Sequence, residues 1–273
     1  MNKIFKVIWS KSKQCYVVVS EIAKNKTGKK KIVVASILAA LTMTANIVTV
    51  EGAIPEGTRT DQLGLAIGTS SNSKSNQSVA IGYASSAEAP SSNPENPATA
   101  VGAGANANGR GAVALGLSAN ANGENAIALG GGANSGKNKT EATAKNSIAL
   151  GFDAKASGVG ATAIGLEASS TASDAIAMGR KSNATGDTSI SLGYNTNSSD
   201  TNTVAIGSSV SATAESAIAL GRSTQASGIS ATAIGPLAVA SGASAAAFGL
   251  QAKAGGQDSL AIGNNANASG RSS

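Results

Sequence analysis

The sequence predicts an all-β fold, a parallel β-roll wound as a solenoid of about fourteen 14-residue coils. Three observations carry the prediction. A short apolar segment ending in glycine recurs at Gly68, Gly82, Gly102, Gly116, Gly130, Gly151, Gly165, Gly179, Gly193, Gly207, Gly221, Gly235, Gly249 and Gly263, and 11 of the 13 intervals are 14 residues. Around each glycine the apolar positions alternate with a period of two, which suits a strand and not a helix. Large side chains are scarce: the 273 residues hold 33 glycines and only 3% aromatics, so an ordinary core cannot be built from them.

Composition narrows the function before any motif is read. The chain has no histidine, which excludes imidazole acid–base chemistry and histidine-ligated metal sites. Neither an enzyme nor a cofactor is expected. The formal charge of +6 is unevenly spread: residues 1–53 carry nine lysines against Glu21 and Glu51, while the other 220 residues set 12 cations against 13 acids. The basic excess therefore belongs to a leader, and the body lacks the electrostatic footprint of a nucleic-acid binder.

The leader has two parts. Lys29-Lys30-Lys31 precedes an apolar stretch from Ile32 to Leu41 and a more polar run to Val50, the layout of a secretory signal peptide spanning 29–53, with cleavage between Ala45 and Ala53. A retained signal anchor is the alternative, but Thr42, Thr44, Asn46 and Thr49 weaken a span that needs ~20 strongly apolar residues. Upstream, residues 1–28 begin Met1-Asn2-Lys3-Ile4-Phe5-Lys6-Val7-Ile8-Trp9-Ser10 and continue through Cys15-Tyr16-Val17-Val18-Val19. This resembles the extended signal peptide region of large Gram-negative type V secreted proteins and implies export through the Sec machinery. Cys15, the one cysteine, lacks the small and apolar residues of a lipidation site before it, so the body carries no disulfide. Residues 54–63 read as a short lead-in to the repeats.

Within a coil each column has its own character. Numbered from the glycine, position −1 is apolar in all 14 copies, −3 is mostly β-branched, and −2 is alanine 13 times, with Ser191 the exception. Positions +3 and +5 are small, and +7 is glycine in eight copies. Each unit reads as two short strands and two turns, stacked on its neighbours at ~4.8 Å per coil. The large residues at −1 and −3 are expected to face inward against the small ones. The alanine column is then expected to face outward, where a sister chain packs closely on it.

Ser78-Val79-Ala80-Ile81-Gly82, Asn146-Ser147-Ile148-Ala149-Leu150-Gly151 and Thr203-Val204-Ala205-Ile206-Gly207 resemble the head repeats of YadA-like trimeric autotransporter adhesins, over residues 64–273. The resemblance implies a left-handed roll, a side-by-side homotrimer, and display on the bacterial surface to bind host extracellular matrix proteins such as collagen, or host cell receptors. It places ligand contacts on those repeat residues from Ser78 to Gly82, Asn146 to Gly151 and Val204 to Gly207. Trimer packing is expected at Ala80, Ala114, Ala128, Ala149, Ala163, Ala177, Ala205, Ala219 and Ala233. No heptad stalk, neck motif or membrane-strand series is found, so outer-membrane attachment is expected from outside this sequence. A structural spacer within a longer surface protein is the alternative function.

Two intervals are longer, 20 and 21 residues, and predict insertions near 85–97 and 131–145. The first holds Pro90, Pro94 and Pro97 and is ejected from the ladder because proline cannot donate to it. The second holds Lys137, Lys139 and Glu141. Both suit recognition loops or merely tolerated surface insertions. Gly131 to Lys137 imitates a phosphate loop, but Asn138 stands where Ser or Thr must hold magnesium. Gly102-Ala103-Gly104 is repeat punctuation, and Asp153, Asp174, Asp187 and Asp200 do not share a calcium-binding column. Hexapeptide acyltransferases need a histidine, and ice-binding solenoids need a threonine array that position −3 offers only at Thr99, Thr162 and Thr232.

Overall fold

A computed structural model describes residues 5–10, 15–20, 58–59, 64–75, 77–89, 97–132 and 139–273. It comprises two units, Met1–Gly52 and Ala53–Ser273. In the first, strands Phe5–Ser10 and Cys15–Ser20 pair antiparallel, from Phe5 opposite Ser20 to Ser10 opposite Cys15. The apolar stretch from Ile32 and the cleavage region lie outside the described residues. Among the described residues no helix is long and apolar enough to cross a membrane.

The second unit is the roll, a solenoid of parallel strands. Strands that begin three residues before each repeat glycine stack into a fourteen-stranded sheet, and the two-residue strands beyond it stack into a fifteen-stranded one. Register follows the repeat: Val113, Ala114 and Leu115 lie beside Ile127, Ala128 and Leu129. It also holds across both insertions, where Val79 pairs with Thr99 and Ile127 with Ile148. Ser86–Ala87 and Glu141–Ala142 are in-register strands, so the inserted chain is shorter than the sequence suggested and falls between Ala89 and Pro97 and between Gly132 and Lys139. Thr58–Arg59 pairs with Asn72–Ser73, so the lead-in already supplies a strand of the roll.

Side-chain orientation is the reverse of the expectation. The interior consists of four columns of small residues, at −4, −2, +3 and +5; Ala112, Ala114, Ala119 and Ala121 are all 0% exposed. The nine alanines expected to receive a sister chain are likewise sealed inside their own coil. The aliphatic columns point outward, with Leu115 44% exposed and Leu150 42%. The reason is the width of the coil. Face-to-face sheets with ordinary side chains sit ~10 Å apart, whereas each corner here is a four-residue turn, whose first and last Cα atoms lie within ~7 Å. Only methyl and hydroxymethyl groups fit that gap, and the largest fully buried side chain is Val210.

Both corners of a coil use one device, seven residues apart. The third corner residue adopts positive φ, at Glu167 (56°), Asp174 (53°), Lys181 (58°) and Thr188 (54°) in succession. The fourth donates its N–H to the carbonyl of the first, as Ala161 does to Gly158 and Ala168 to Gly165. The two glycine columns differ in what they require. Gly165 has φ of 133°, and a Cβ there would lie 2.5 Å from the Gly179 carbonyl oxygen, so every copy of this column is glycine. The column of Gly158 has ordinary φ and also accepts Ala172, Ala214 and Asp200. Where a β-branched residue stands at +3 (Thr196, Val210, Thr224), the strand runs on through the glycine to Tyr194, Ser208 and Arg222.

A non-glycine residue at positive φ is strained. Gln251, exposed with φ of 56°, offers a clean test. Gln251→Gly is expected to stabilise the roll by about 0.5–1 kcal/mol, the strain relieved less the entropy glycine adds to the unfolded chain. Equilibrium denaturation measures it; an unchanged or lower midpoint contradicts the strain.

Candidate functional site

The roll presents two unlike faces and two edges. The outer face of the fourteen-stranded sheet carries two aliphatic columns, including Val113, Leu115, Ile127, Leu129, Ile206 and Leu220. The outer face of the fifteen-stranded sheet is polar, with Asn106, Asn120, Lys155, Asn183, Asn197 and Lys253 stacked at one position of successive coils. Asn183 Nδ2 donates to Asn197 Oδ1 at 2.9 Å, linking adjacent coils along this face.

The residues that the repeat motif nominated for ligand contact do not converge. Ser78, Ala80, Ser147, Ala149 and Ala205 are 0% exposed and reach no ligand from the folded roll. Val79, Ile81, Ile148, Leu150, Val204 and Ile206 lie on the aliphatic face. Gly82, Gly151 and Gly207 form corners against the backbone of the next coil. Asn146 stands at an exposed corner, its amide oxygen accepting from Asn125 at 3.3 Å.

Ser191, the one exception in the alanine column, is explained by its partners. Its Oγ donates to Thr196 Oγ1 at 2.8 Å, Thr196 Oγ1 donates to Ser182 Oγ at 3.2 Å, and Ser182 Oγ donates to the Ser191 carbonyl at 2.6 Å. This satisfied hydroxyl belt is one of several places where buried Ser and Thr, such as Ser73, Ser147 and Ser170, interrupt the alanine methyls of the interior.

The edges carry what the sequence reading left untabulated. The corner after each repeat glycine exposes Tyr83, Phe152, Leu166, Tyr194, Leu237 and Leu250. Arg180 stacks on the Tyr194 ring, 4.5 Å from its centroid. The opposite corner pairs Arg110 with Glu124 at 2.8 Å and Lys145 with Glu124 at 3.4 Å. The Arg110 hydrogen bond holds the Glu124 carboxyl below its ordinary range. The signal for these edges was present in four columns, +1 and +2 on one edge and +8 and +9 on the other, whose side chains vary from coil to coil. Among the described residues, no group of three His, Cys, Asp or Glu is placed to hold a metal ion.

A repetitive β-solenoid with a nearly featureless small-residue core, preceded by a long export leader, defines a bacterial surface head domain. Residues 1–48 match the extended signal peptide of the type V secretion system, reaching past residue 28 into the apolar stretch. The YadA head domain repeat matches residues 62–89, 97–119, 107–133, 142–168, 170–196, 184–209, 212–238, 226–252, 240–266 and 254–273. The gaps at 90–96 and 134–141 coincide with the insertions. The chain belongs to the YadA-like trimeric autotransporter adhesins, a family of structural adhesins and not of enzymes. It is exported and displayed on the bacterial surface as part of an autotransporter adhesin. No curated protein matches it.

Proposed function

We propose that three copies pack side by side through the aliphatic face of the fourteen-stranded sheet, and that the resulting rod binds host matrix proteins, such as collagen, or host cell receptors. The observation that carries this reading is the contrast between the two outer faces. Two columns made mostly of Val, Ile and Leu are half exposed on one side, and a column that is polar except at Val239 covers the other. Exposed apolar surface of that extent marks an association face. Turning it toward the trimer axis leaves the polar face for ligand. Contacts there are individually weak and gain strength by repetition along the coils and across chains.

Removing whole coils tests the distribution of binding. Deleting residues 208–235, two complete coils, keeps the ladder in register and is expected to lower binding to immobilised matrix proteins in graded fashion. Abolition of binding by that one deletion points to a single local site. No binding by the undeleted head to any matrix protein favours the spacer.

A further inference from the structure

Between Phe152 and Leu237 the two edges of the roll match one another in charge and apolarity at most levels. On the corner after the repeat glycine, Phe152 and Leu166 are followed by Arg180 and Lys181, then by Tyr194, Ser208 and Arg222, then by Leu237 and Leu250. On the opposite corner, at the same heights, Val159 is followed by Asp174, Asp187, Asp200 and Glu215, and then by Ile229. Apolar thus lies level with apolar at Val159 and Ile229, and Arg180, Lys181 and Arg222 lie level with Asp174, Asp187 and Glu215; Asp200 is level with Tyr194 and Ser208, and the first edge also carries Asp153 and Glu167. All of these charged residues except Asp153 are exposed.

Among the described residues the acids find no ion-pair partner within their own chain. Asp187 and Asp200 accept backbone N–H groups from Ser173 and Thr201, at 3.1 and 2.8 Å, and none of Asp174, Asp187, Asp200 and Glu215 forms an intrachain ion pair. Arg222 forms none either, and Arg180 engages only the Tyr194 ring. Lys181 reaches Glu167 at 3.7 Å on its own edge. The earlier coils differ: Arg110, Glu124 and Lys145 satisfy one another along a single edge.

Any threefold arrangement with the same face turned inward is heterologous, so one edge of each chain meets the other edge of the next. We infer that these two edges form an interchain register key, in which Arg180, Lys181 and Arg222 of one chain pair with Asp174, Asp187, Asp200 and Glu215 of its neighbour, between two apolar clasps. The inference rests on the trimer reading above. A key is needed because the aliphatic face cannot supply one. Its columns are mostly interchangeable Val, Ile and Leu, broken only by Thr99, Thr162, Thr232, Ala246, Met178 and Phe248, and most levels pack almost equally well after a slip of one coil. The edges do not tolerate that slip: one coil moves Arg222 from between Glu215 and Ile229 to between Ile229 and Ala243. Two coils in the other direction set Arg180 beside Lys145 and Val159.

Charge reversal on one edge and then on both tests the key in the full chain with Cys15→Ser. Ser209→Cys with Ser216→Cys adds a reporter, since these positions lie on opposite edges of one coil and can cross-link only between chains. The unaltered edges are expected to sediment as a trimer and to cross-link efficiently. Arg180→Glu, Lys181→Glu and Arg222→Glu together, or Asp187→Lys, Asp200→Lys and Glu215→Lys together, are expected to cut the cross-linked trimer at least fivefold. Combining all six is expected to restore it, which a merely misfolded edge would not allow. Full cross-linking in both single-edge variants overturns the key while leaving the trimer standing, as does failure of the combined variant to recover. A monomeric parent chain overturns the trimer reading, and the key with it.

Discussion

Leucine at position 163 is expected to abolish the folded roll around its coil. Ala163 is 0% exposed and lies in register between Ala149 and Ala177. Overpacking an ordinary core costs about 1–3 kcal/mol, because neighbouring side chains shift to make room. Here the neighbours are methyl groups with no rotamers to change, and the turns at both corners set the gap. Widening one coil also stretches the ladder above and below it, including Thr162 N–H to Ala175 at 2.9 Å and Gly165 N–H to Leu150 at 2.8 Å. A loss of about 3 kcal/mol or more is expected, the range that marks severe core damage. Equilibrium denaturation and protease mapping around residues 150–180 report it. A stable Ala163→Leu head refutes the alanine interior and restores the orientation read from the sequence, in which that residue is on the surface.

The sequence made the repeat plain because every column is sampled fourteen times, and a position such as the repeat glycine has one physical solution. Orientation is a different matter. A period of two says that neighbours face opposite sides, and it does not say which side is inside. The usual inference, that the larger apolar set is buried, fails here because the gap between sheets is fixed by turn length and not by side-chain volume. Four residues from Gly165 to Ala168 close the corner, and that count was open to inspection. The seven-residue half-period was hidden for another reason. Its diagnostic is backbone φ, shared by Glu167, Lys181, Asn195, Ser209 and Leu237, which have no side-chain chemistry in common. The hairpin of Phe5–Ser10 and Cys15–Ser20 carries no turn signal of the Asn-Gly or Asp-Gly kind to announce it. Part of the candidate site is lost through the same inversion, since a motif read as a contact surface contributes alternate residues, Ser78, Ala80, Ser147, Ala149 and Ala205, to the core.

Aspartate at positions 206 and 220 is expected to separate assembly from folding. Ile206 and Leu220 are register partners on the aliphatic face, half-buried in the single chain and remote from the methyl interior, which Ala205 and Ala219 supply. In an isolated roll the two carboxylates face water and cost little. In the trimer each chain brings its pair to a shared apolar seam, where unpaired charges are desolvated at several kcal/mol each. Sedimentation is therefore expected to fall from trimer to monomer, while the β-sheet circular dichroism of the chain persists. Matrix binding is expected to fall with it, by more than the threefold loss of valency, because linked contacts act through effective concentration and not by simple addition. Persistence of the trimer in Ile206→Asp with Leu220→Asp removes the aliphatic face from the interface. Collapse of the β-sheet signal instead shows that a single roll depends on its neighbours to fold, and the comparison with Ala163→Leu then distinguishes the two causes. The core variant fails within the chain at every protein concentration, whereas the face variant fails only through the loss of partners.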